Sequence, residues 1–337
     1  MKALKFYGQR DIRIEDVPVP EVGENDVLIK VTDAGMSQTQ VNEFVEGPFF
    51  IDKTLIPSQE YGGIVVEVGK NVDKSLIGTQ VAVLPLVSCG KCEYCLQGNE
   101  NLCEKMKYHG LRGLDGGFCE YSVVNKNNIL LVEKKELLTF IEPILVGIHS
   151  ANIYLNIFKT LKNKKVLILG AGAVGISIAA VYRDYFLADV YINDLLPLRL
   201  KRAKNAGFNV IEKENLKREF DLVIDAAGMD TLVDKPAIIE GFNYLKKGEA
   251  LMNIGTYFHN VSFVPSSLLV NEHKLLTSII YSSKDVGVLK NVVASLNVDL
   301  NNFIEYENFD NIIDGVYYRA EADKDSFTRL VVKINDD

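Results

Sequence analysis

The sequence predicts an α/β protein in two parts, a β-rich domain followed by a doubly wound parallel sheet. Two observations carry this. Up to about residue 140, short alternating stretches are punctuated by glycine; after it, strand and helix patterns alternate. At 337 residues the chain is long enough for two domains with a sizeable core.

The N-terminus, MKALKFYGQRDIRIED, alternates apolar and polar residues and reads as a first strand, with no hydrophobic signal core. DVLIKVTDAG, GGIVVEVG, GTQVAVLP and GGFCEYSVV follow as short strands with glycine turns, the pattern of a compact barrel-like domain. KKVLILG is then a continuous apolar strand that leads into the helical AVGISIAAVYRDYF. ADVYIND, the helical PLRLKRAKNAG, FNVI and DLVIDAAG continue the alternation, and EALMNIG and KLLTSIIYS add strands. Beyond about residue 285 come a helical stretch, VGVLKNVVASLN, and a last strand, FTRLVVKIND. No apolar run reaches the roughly 18 residues of a membrane span.

Composition narrows the function. Apolar residues make up 47% and charged residues 24%, as in ordinary globular chains. A net charge of −8 without a block of like charge gives no reason to expect a nucleic-acid or membrane partner and is compatible with a small-molecule substrate. Of five cysteines, four crowd into Cys89–Cys103, which points to metal in a reducing, cytoplasmic setting rather than to disulfides.

Gly170-Ala171-Gly172-Ala173-Val174-Gly175 fits G-x-G-x-x-G between a buried strand and a helix. The first glycine permits a tight turn, the second lets backbone approach a pyrophosphate, and the third lets helix and strand pack closely. The helix N-terminus offers free N–H groups to the phosphates. Asp194, at the end of the next strand, can accept from both ribose hydroxyls and favours NAD over NADP. Arg199 and Lys201 lie just downstream, and Arg199 joins the candidate cofactor set.

Cys89, Cys92, Cys95 and Cys103 follow C-x2-C-x2-C-x7-C. Four thiolates at such spacing can wrap one tetrahedral zinc and leave no position open for substrate, so the expected role is structural. Cys119 sits in a strand pattern as a small core residue.

With these features the sequence resembles the medium-chain, zinc-dependent alcohol dehydrogenase superfamily nearly end to end. The cysteine lobe, GGFCEY, IEPILVGIHSA and the glycine motif with DLVIDAAG carry the likeness, and IEPILVGIHSA points to the sorbitol and polyol dehydrogenase branch. The resemblance implies a GroES-like catalytic domain from residues 1–140 and 285–337, with the zinc lobe at 89–103, and a Rossmann domain from 141–284. It also implies chemistry in the cleft between them and a homo-oligomer, dimer or tetramer.

Two family motifs for a catalytic zinc are altered. Where the family reads Gly-x-Cys-Gly-Ser/Thr-Asp, this chain has Gly35-Met36-Ser37-Gln38-Thr39-Gln40. Where it reads Gly-His-Glu-x-x-Gly, this chain has Ser58-Gln59-Glu60-Tyr61-Gly62-Gly63. Ser37 and Gln59 thus replace the liganding cysteine and histidine, and Gln40 replaces the supporting aspartate. A hydroxyl and an amide oxygen are poor substitutes for thiolate and imidazole. The expectation is that the catalytic zinc is gone.

Thr39 holds the position of the family's proton-relay hydroxyl, and Glu60 and Glu142 are retained carboxylates of the metal region. A carboxylate buried there acquires a raised pKa and can serve as general acid and base. Ser37, Gln59 and Tyr61 would offer neutral hydrogen bonds to a hydroxylated substrate. The expected activity is NAD-dependent hydride transfer to or from a polyol, sugar or sugar derivative. The alternatives are a metal-dependent polyol dehydrogenase with an oxygen-rich site at Glu60 and Glu142, and a non-catalytic NAD-binding protein. His149 is expected to be packed, and nothing specific gives His109 a role.

Overall fold

The computed structural model describes residues 1–228 and 235–335. The chain divides into two compact units, Met1–Glu142 with the segment from Phe303 onward, and Pro143–Asn302. The second division therefore falls at 302/303 and not at 284/285. Helix Ser283–Ser295 stays with the parallel-sheet unit, where its Asp285 accepts from His149 Nδ1 at 2.8 Å and Asn152 Nδ2 at 2.7 Å. An isolated amphipathic stretch carries no mark of which core it joins, which is why the boundary was displaced.

In the first unit the N-terminal stretch forms two strands, Lys2–Gly8 and Asp11–Asp16, in place of the single strand expected. Gly8 at φ +144° and Arg10 at φ +53° make the reversal between them. The main sheet of this unit has the order Ile129–Leu131, Gln80–Val83, Tyr61–Val68, Asp26–Gly35, Arg329–Lys333, Ile304–Asn308. Tyr121–Asn125 also pairs with Asp26–Gly35.

Asp26–Gly35 is buried on both faces, and its branched residues Val27, Ile29 and Val31 pack with Phe44, Tyr61, Val65, Phe118 and Val332. Its register sets the site. Ala34 pairs with Tyr61, and Gly35 with Val331. Residues 35–37, 58–60 and 329 are thereby brought to one end of the sheet.

The second unit holds a six-stranded parallel sheet ordered Asn209–Val210, Asp189–Asn193, Lys165–Leu169, Phe220–Asp225, Leu245–Asn253, Lys274–Thr277. The order reverses between Lys165–Leu169 and Phe220–Asp225, so the chain's own topology opens a crevice at the carboxyl ends of these two strands.

Helix Leu137–Phe158, with Pro143 inside it, runs through the first division. By length and composition it could cross a membrane, but 83% of its apolar window is buried within the protein, as in a core helix. The continuous helix is longer and more apolar than the run lengths in the sequence suggested, because Glu142, His149 and Asn152 interrupt the run and not the helix.

Candidate functional site

The cysteine lobe converges. Cys92 caps the short helix Glu93–Leu96, Cys95 lies within it, and Cys103 follows the turn Glu100–Leu102. The four sulfurs lie within 4.8 Å of one another, with Cys89–Cys95 at 3.9 Å and Cys92–Cys95 at 3.4 Å. Zinc–sulfur bonds of about 2.3 Å in a tetrahedron put sulfurs about 3.8 Å apart. The donor set fits one closed zinc site. Backbone N–H groups of Lys91 and Cys92 draw the Cys89 thiol down to about 6, towards the thiolate that such a site requires.

The glycine turn is shaped by contact. Gly170 has φ +110°, and a Cβ there would meet Ala227 N at 2.8 Å. A Cβ on Gly175 would meet the Gly170 carbonyl oxygen at 1.9 Å, so the helix Ala173–Ala180 approaches the strand end as only glycine permits. Gly172 is the N-cap of that helix and has open space apart from the Arg199 guanidinium, 3.7 Å from where its Cβ would stand. The N–H groups of Ala173 and Val174 begin the helix. Asp194 accepts from Ala171 N at 2.6 Å and Leu196 N at 2.8 Å, which fixes its carboxylate beside the turn.

At the altered motifs the side chains bind one another. Ser37 caps helix Gln38–Glu46: its Oγ accepts from Gln40 N at 3.4 Å, and Gln40 Oε1 accepts from Ser37 N at 2.9 Å. Gln40 Nε2 donates to Gln59 Oε1 at 2.9 Å, and Gln59 Nε2 donates to Glu60 Oε1 at 3.2 Å. The other Glu60 oxygen forms an ion pair with Arg329 Nη1. Ser58, in the place of the motif's first glycine, has φ +79° and is held by its Oγ donating to the Gly35 carbonyl at 3.0 Å.

These commitments leave no zinc donor set. The Gln59 amide oxygen is taken by Gln40, the Ser37 hydroxyl serves the helix cap, and a guanidinium already neutralises Glu60. The residues at the two motifs do not fit a zinc ion.

Arg329 was not singled out from the sequence, although it is 1% exposed and organises the region. Its Nη2 donates to the Thr139 carbonyl at 2.6 Å and its Nη1 to the Met36 carbonyl at 3.3 Å. The Thr139 carbonyl is free to accept because Pro143, four residues on in the same helix, has no N–H to give it. Room for the guanidinium comes from Gly35, where a Cβ would stand 1.9 Å from Arg329 Nη2. The signal in the sequence was a charge opening the strand Arg329–Lys333 ahead of the apolar run LVV.

Glu142 lies against Glu60, and Tyr108 donates to it at 2.8 Å. Burial pushes the Glu142 carboxyl up to about 8, helped by the Glu60 charge and opposed by the Tyr108 hydroxyl. Burial also raises Glu60, against the pull of Arg329. Thr39 is half-buried on the first turn of Gln38–Glu46, with no hydrogen bond to its hydroxyl among the described residues. Tyr61 is turned away to Ser122, its hydroxyl 2.8 Å from that of the serine. His109 is buried and its Nδ1 donates to the Asp115 carbonyl at 2.8 Å.

The alcohol dehydrogenase GroES-like domain family matches residues 23–134. Sorbitol dehydrogenase of Bacillus subtilis (strain 168) is 30% identical over 269 residues, 76% of this chain and 75% of that protein. D-xylulose reductase A of Aspergillus oryzae is 27% identical over 327 residues, 88% of this chain and 87% of that protein. Among solved structures, the short chain alcohol dehydrogenase of Escherichia coli CFT073 complexed with NADH superposes with a TM-score of 0.84 over 99% of both chains, at 22% identity.

Proposed function

From the membership of this chain in the medium-chain, zinc-type alcohol dehydrogenase superfamily, to which it belongs on the polyol dehydrogenase branch, we propose an NAD-dependent oxidoreductase that acts on a polyol, sugar or sugar derivative without a catalytic zinc. The observation that carries the zinc-free reading is the unbroken chain Ser37–Gln40–Gln59–Glu60–Arg329, in which the former ligand positions satisfy one another. NAD is supported by the glycine turn with Asp194 beside it, and by the NADH held by the Escherichia coli protein of like fold. When bound, NAD supplies the acceptor or donor of the hydride.

The protein's own part is the proton. Two carboxyl groups in contact in a buried site do not both ionise. Glu60 has the guanidinium and an amide N–H on its oxygens, so it keeps the charge. Glu142 accepts from the Tyr108 hydroxyl, faces the Glu60 charge and keeps the proton. In the oxidising direction Glu142 as carboxylate takes the proton of the substrate hydroxyl, directly or through Thr39; in the reducing direction it returns it.

The reading includes a homo-oligomer in the cytoplasm. Among the described residues Lys274–Thr277 pairs on one side only, and Val264, Leu269, Val270 and Ile279 lie exposed near it in sequence, an edge that a second copy would cover.

The test is zinc per chain by mass spectrometry on protein purified without added metal, alongside turnover on a panel of polyols and ketoses with NAD or NADH. One equivalent with turnover is the expected result. Two equivalents would replace this reading with a metal-dependent dehydrogenase, and NADH binding without turnover would make the chain a non-catalytic NAD-binding protein.

A further inference from the structure

The parallel-sheet unit contains a fully buried carboxylate, Asp225, to which neither the glycine turn nor the proton site assigns a task. Asp225 ends strand Phe220–Asp225 and is 0% exposed. Its Oδ1 accepts from the N–H groups of Ala227 and Gly228, each at 3.0 Å, and its backbone carbonyl accepts from Ile254 at 3.0 Å and Gly255 at 2.9 Å. Its Oδ2 accepts from the hydroxyl of Tyr257. That hydroxyl oxygen in turn accepts from Ile238 N–H at 3.2 Å, at the first turn of helix Ala237–Glu240. One carboxylate and one phenol therefore bind together the loops that follow two neighbouring strands and the helix beyond.

The place of these loops gives them a meaning. They leave the carboxyl ends of Phe220–Asp225 and Leu245–Asn253, and the first of these strands borders the crevice where the strand order reverses. The fit is tight. A Cβ on Gly255 would meet Gly228 N at 2.3 Å, and a Cβ on Gly170 would meet Ala227 N at 2.8 Å. The first glycine of the phosphate turn thus rests on the loop that Asp225 holds, and that loop rests on the one that carries Tyr257.

We propose that Tyr257 is a positioning residue for the dinucleotide, acting through Asp225 to hold residues 226–228 and 254–256 as the floor of the crevice beside the glycine turn. The proposal rests on the dinucleotide reading above. It adds a side chain outside the G-x-G-x-x-G motif, on the far side of the switch point, whose hydroxyl sets the backbone against which the cofactor lies. The energetic reason is preorganisation: loops already fixed by a charge-assisted hydrogen bond lose less freedom when a ligand settles on them.

Tyr257→Phe removes only the hydroxyl and is the variant of choice; Asp225→Asn serves as the second. NADH affinity is measured by the fluorescence of the bound cofactor, and amide hydrogen exchange at Ala227 and Gly228 is followed in the cofactor-free protein. The wild type should bind NADH, Tyr257→Phe should bind it about tenfold more weakly, and exchange at the two amides should quicken. At saturating NADH, kcat should stay within about twofold. A role in overall stability alone would instead lower the unfolding midpoint and leave the affinity of the folded protein unchanged, and that result overturns the proposal. A wild type that does not bind NADH overturns the dinucleotide reading first. Unaltered affinity in Tyr257→Phe beside a wild type that binds sinks this inference alone.

Discussion

The cysteine lobe and the region around Glu60 lie in the same unit, and each corresponds to a zinc position of the family, yet their polar groups are arranged in opposite ways. In the lobe four sulfurs converge to within 4.8 Å of one another. Around Glu60 the side chains at the ligand positions are consumed by neighbours, from the Ser37 cap to the Arg329 ion pair. The difference teaches how buried polar groups are satisfied with and without a convergent donor set. Removing an ion strands its ligands as buried polar groups, which costs roughly 1–3 kcal/mol for each group without a partner. Around Glu60 the polar side chains hydrogen-bond to one another, and a guanidinium supplies the positive charge the carboxylates would otherwise lack.

The largest effect that could break the comparison is in metal content. Cys95→Ser should reduce zinc from one equivalent per chain to near zero and lower the unfolding midpoint, since metal binding to such sites contributes about 10–16 kcal/mol in small domains. Gln59→Leu should leave zinc content unaltered. If Gln59→Leu also released an equivalent, the two regions would be alike after all, and the hydrogen-bond chain would not be what occupies the second position.

Next in size is the cation that stands in the second region. Arg329→Met leaves Glu60 buried without its partner, and breaking such a pair costs about 3–5 kcal/mol. Urea unfolding should show that loss. The double variant Arg329→Met with Glu60→Met should recover most of it, because the charge is then gone with its counter-charge. A single variant as stable as the wild type would mean that Glu60 is already neutral.

Glu142→Gln sharpens the contrast from the side of activity. It should reduce turnover by about 10²–10⁴-fold, the usual worth of a general acid–base group, with zinc content and NADH binding retained. Its effect on stability has a definite sign. In the folded protein the Glu142 carboxyl holds its proton up to about 8. The unfolded chain releases that proton in the ordinary carboxylate range. Stability is therefore lost progressively as pH rises from that range to about 8, and the loss is complete above it. The glutamine variant lacks this loss, so its unfolding midpoint should fall less between pH 5 and pH 9 (measured by scanning calorimetry). Parallel falls in both proteins would show that Glu142 is not the group titrating.

What could be read from the sequence followed from how local each feature is. The cysteine spacing and the glycine turn are complete within a few residues, so residue type and spacing disclosed them. The hydrogen bonds that join Ser37, Gln40, Gln59 and Glu60 were less legible, since two separate stretches of the chain supply them. Arg329 was not legible, because its partners Glu60, Met36 and Thr139 come from distant segments that only the register of the sheet brings together. The carbonyl it uses is freed by Pro143, a backbone consequence that no side-chain pattern displays. Tyr108 was missed because nothing in the stretch KYHG marks its hydroxyl as aimed at a residue of another element. The position of helix Ser283–Ser295 was misjudged for want of any local cue to its core.

The smallest effect is also the most specific to the reading of the second region. Tyr108 donates to Glu142, and a donor on a carboxylate stabilises its charged form. The Tyr108 hydroxyl accordingly holds the Glu142 pKa below where burial and the Glu60 charge would set it. Tyr108→Phe removes that donor, so the pKa must rise. Alcohol oxidation needs the carboxylate, and its kcat/KM should increase with pH through an inflection near 8 in the wild type. Carbonyl reduction needs the acid, and its rate should fall through the same inflection. In Tyr108→Phe both inflections should move upward by about one unit, since a hydrogen bond to a charged group contributes about 1.5–3 kcal/mol and one unit is about 1.4 kcal/mol. The plateau rates should change little, because the tyrosine acts on the proton's holder and not on the substrate. A metal-bound water could also titrate near neutrality, but it would have no reason to follow Tyr108. An inflection that stays in place in Tyr108→Phe would therefore take the proton away from Glu142 and reopen the question of a metal beside Glu60.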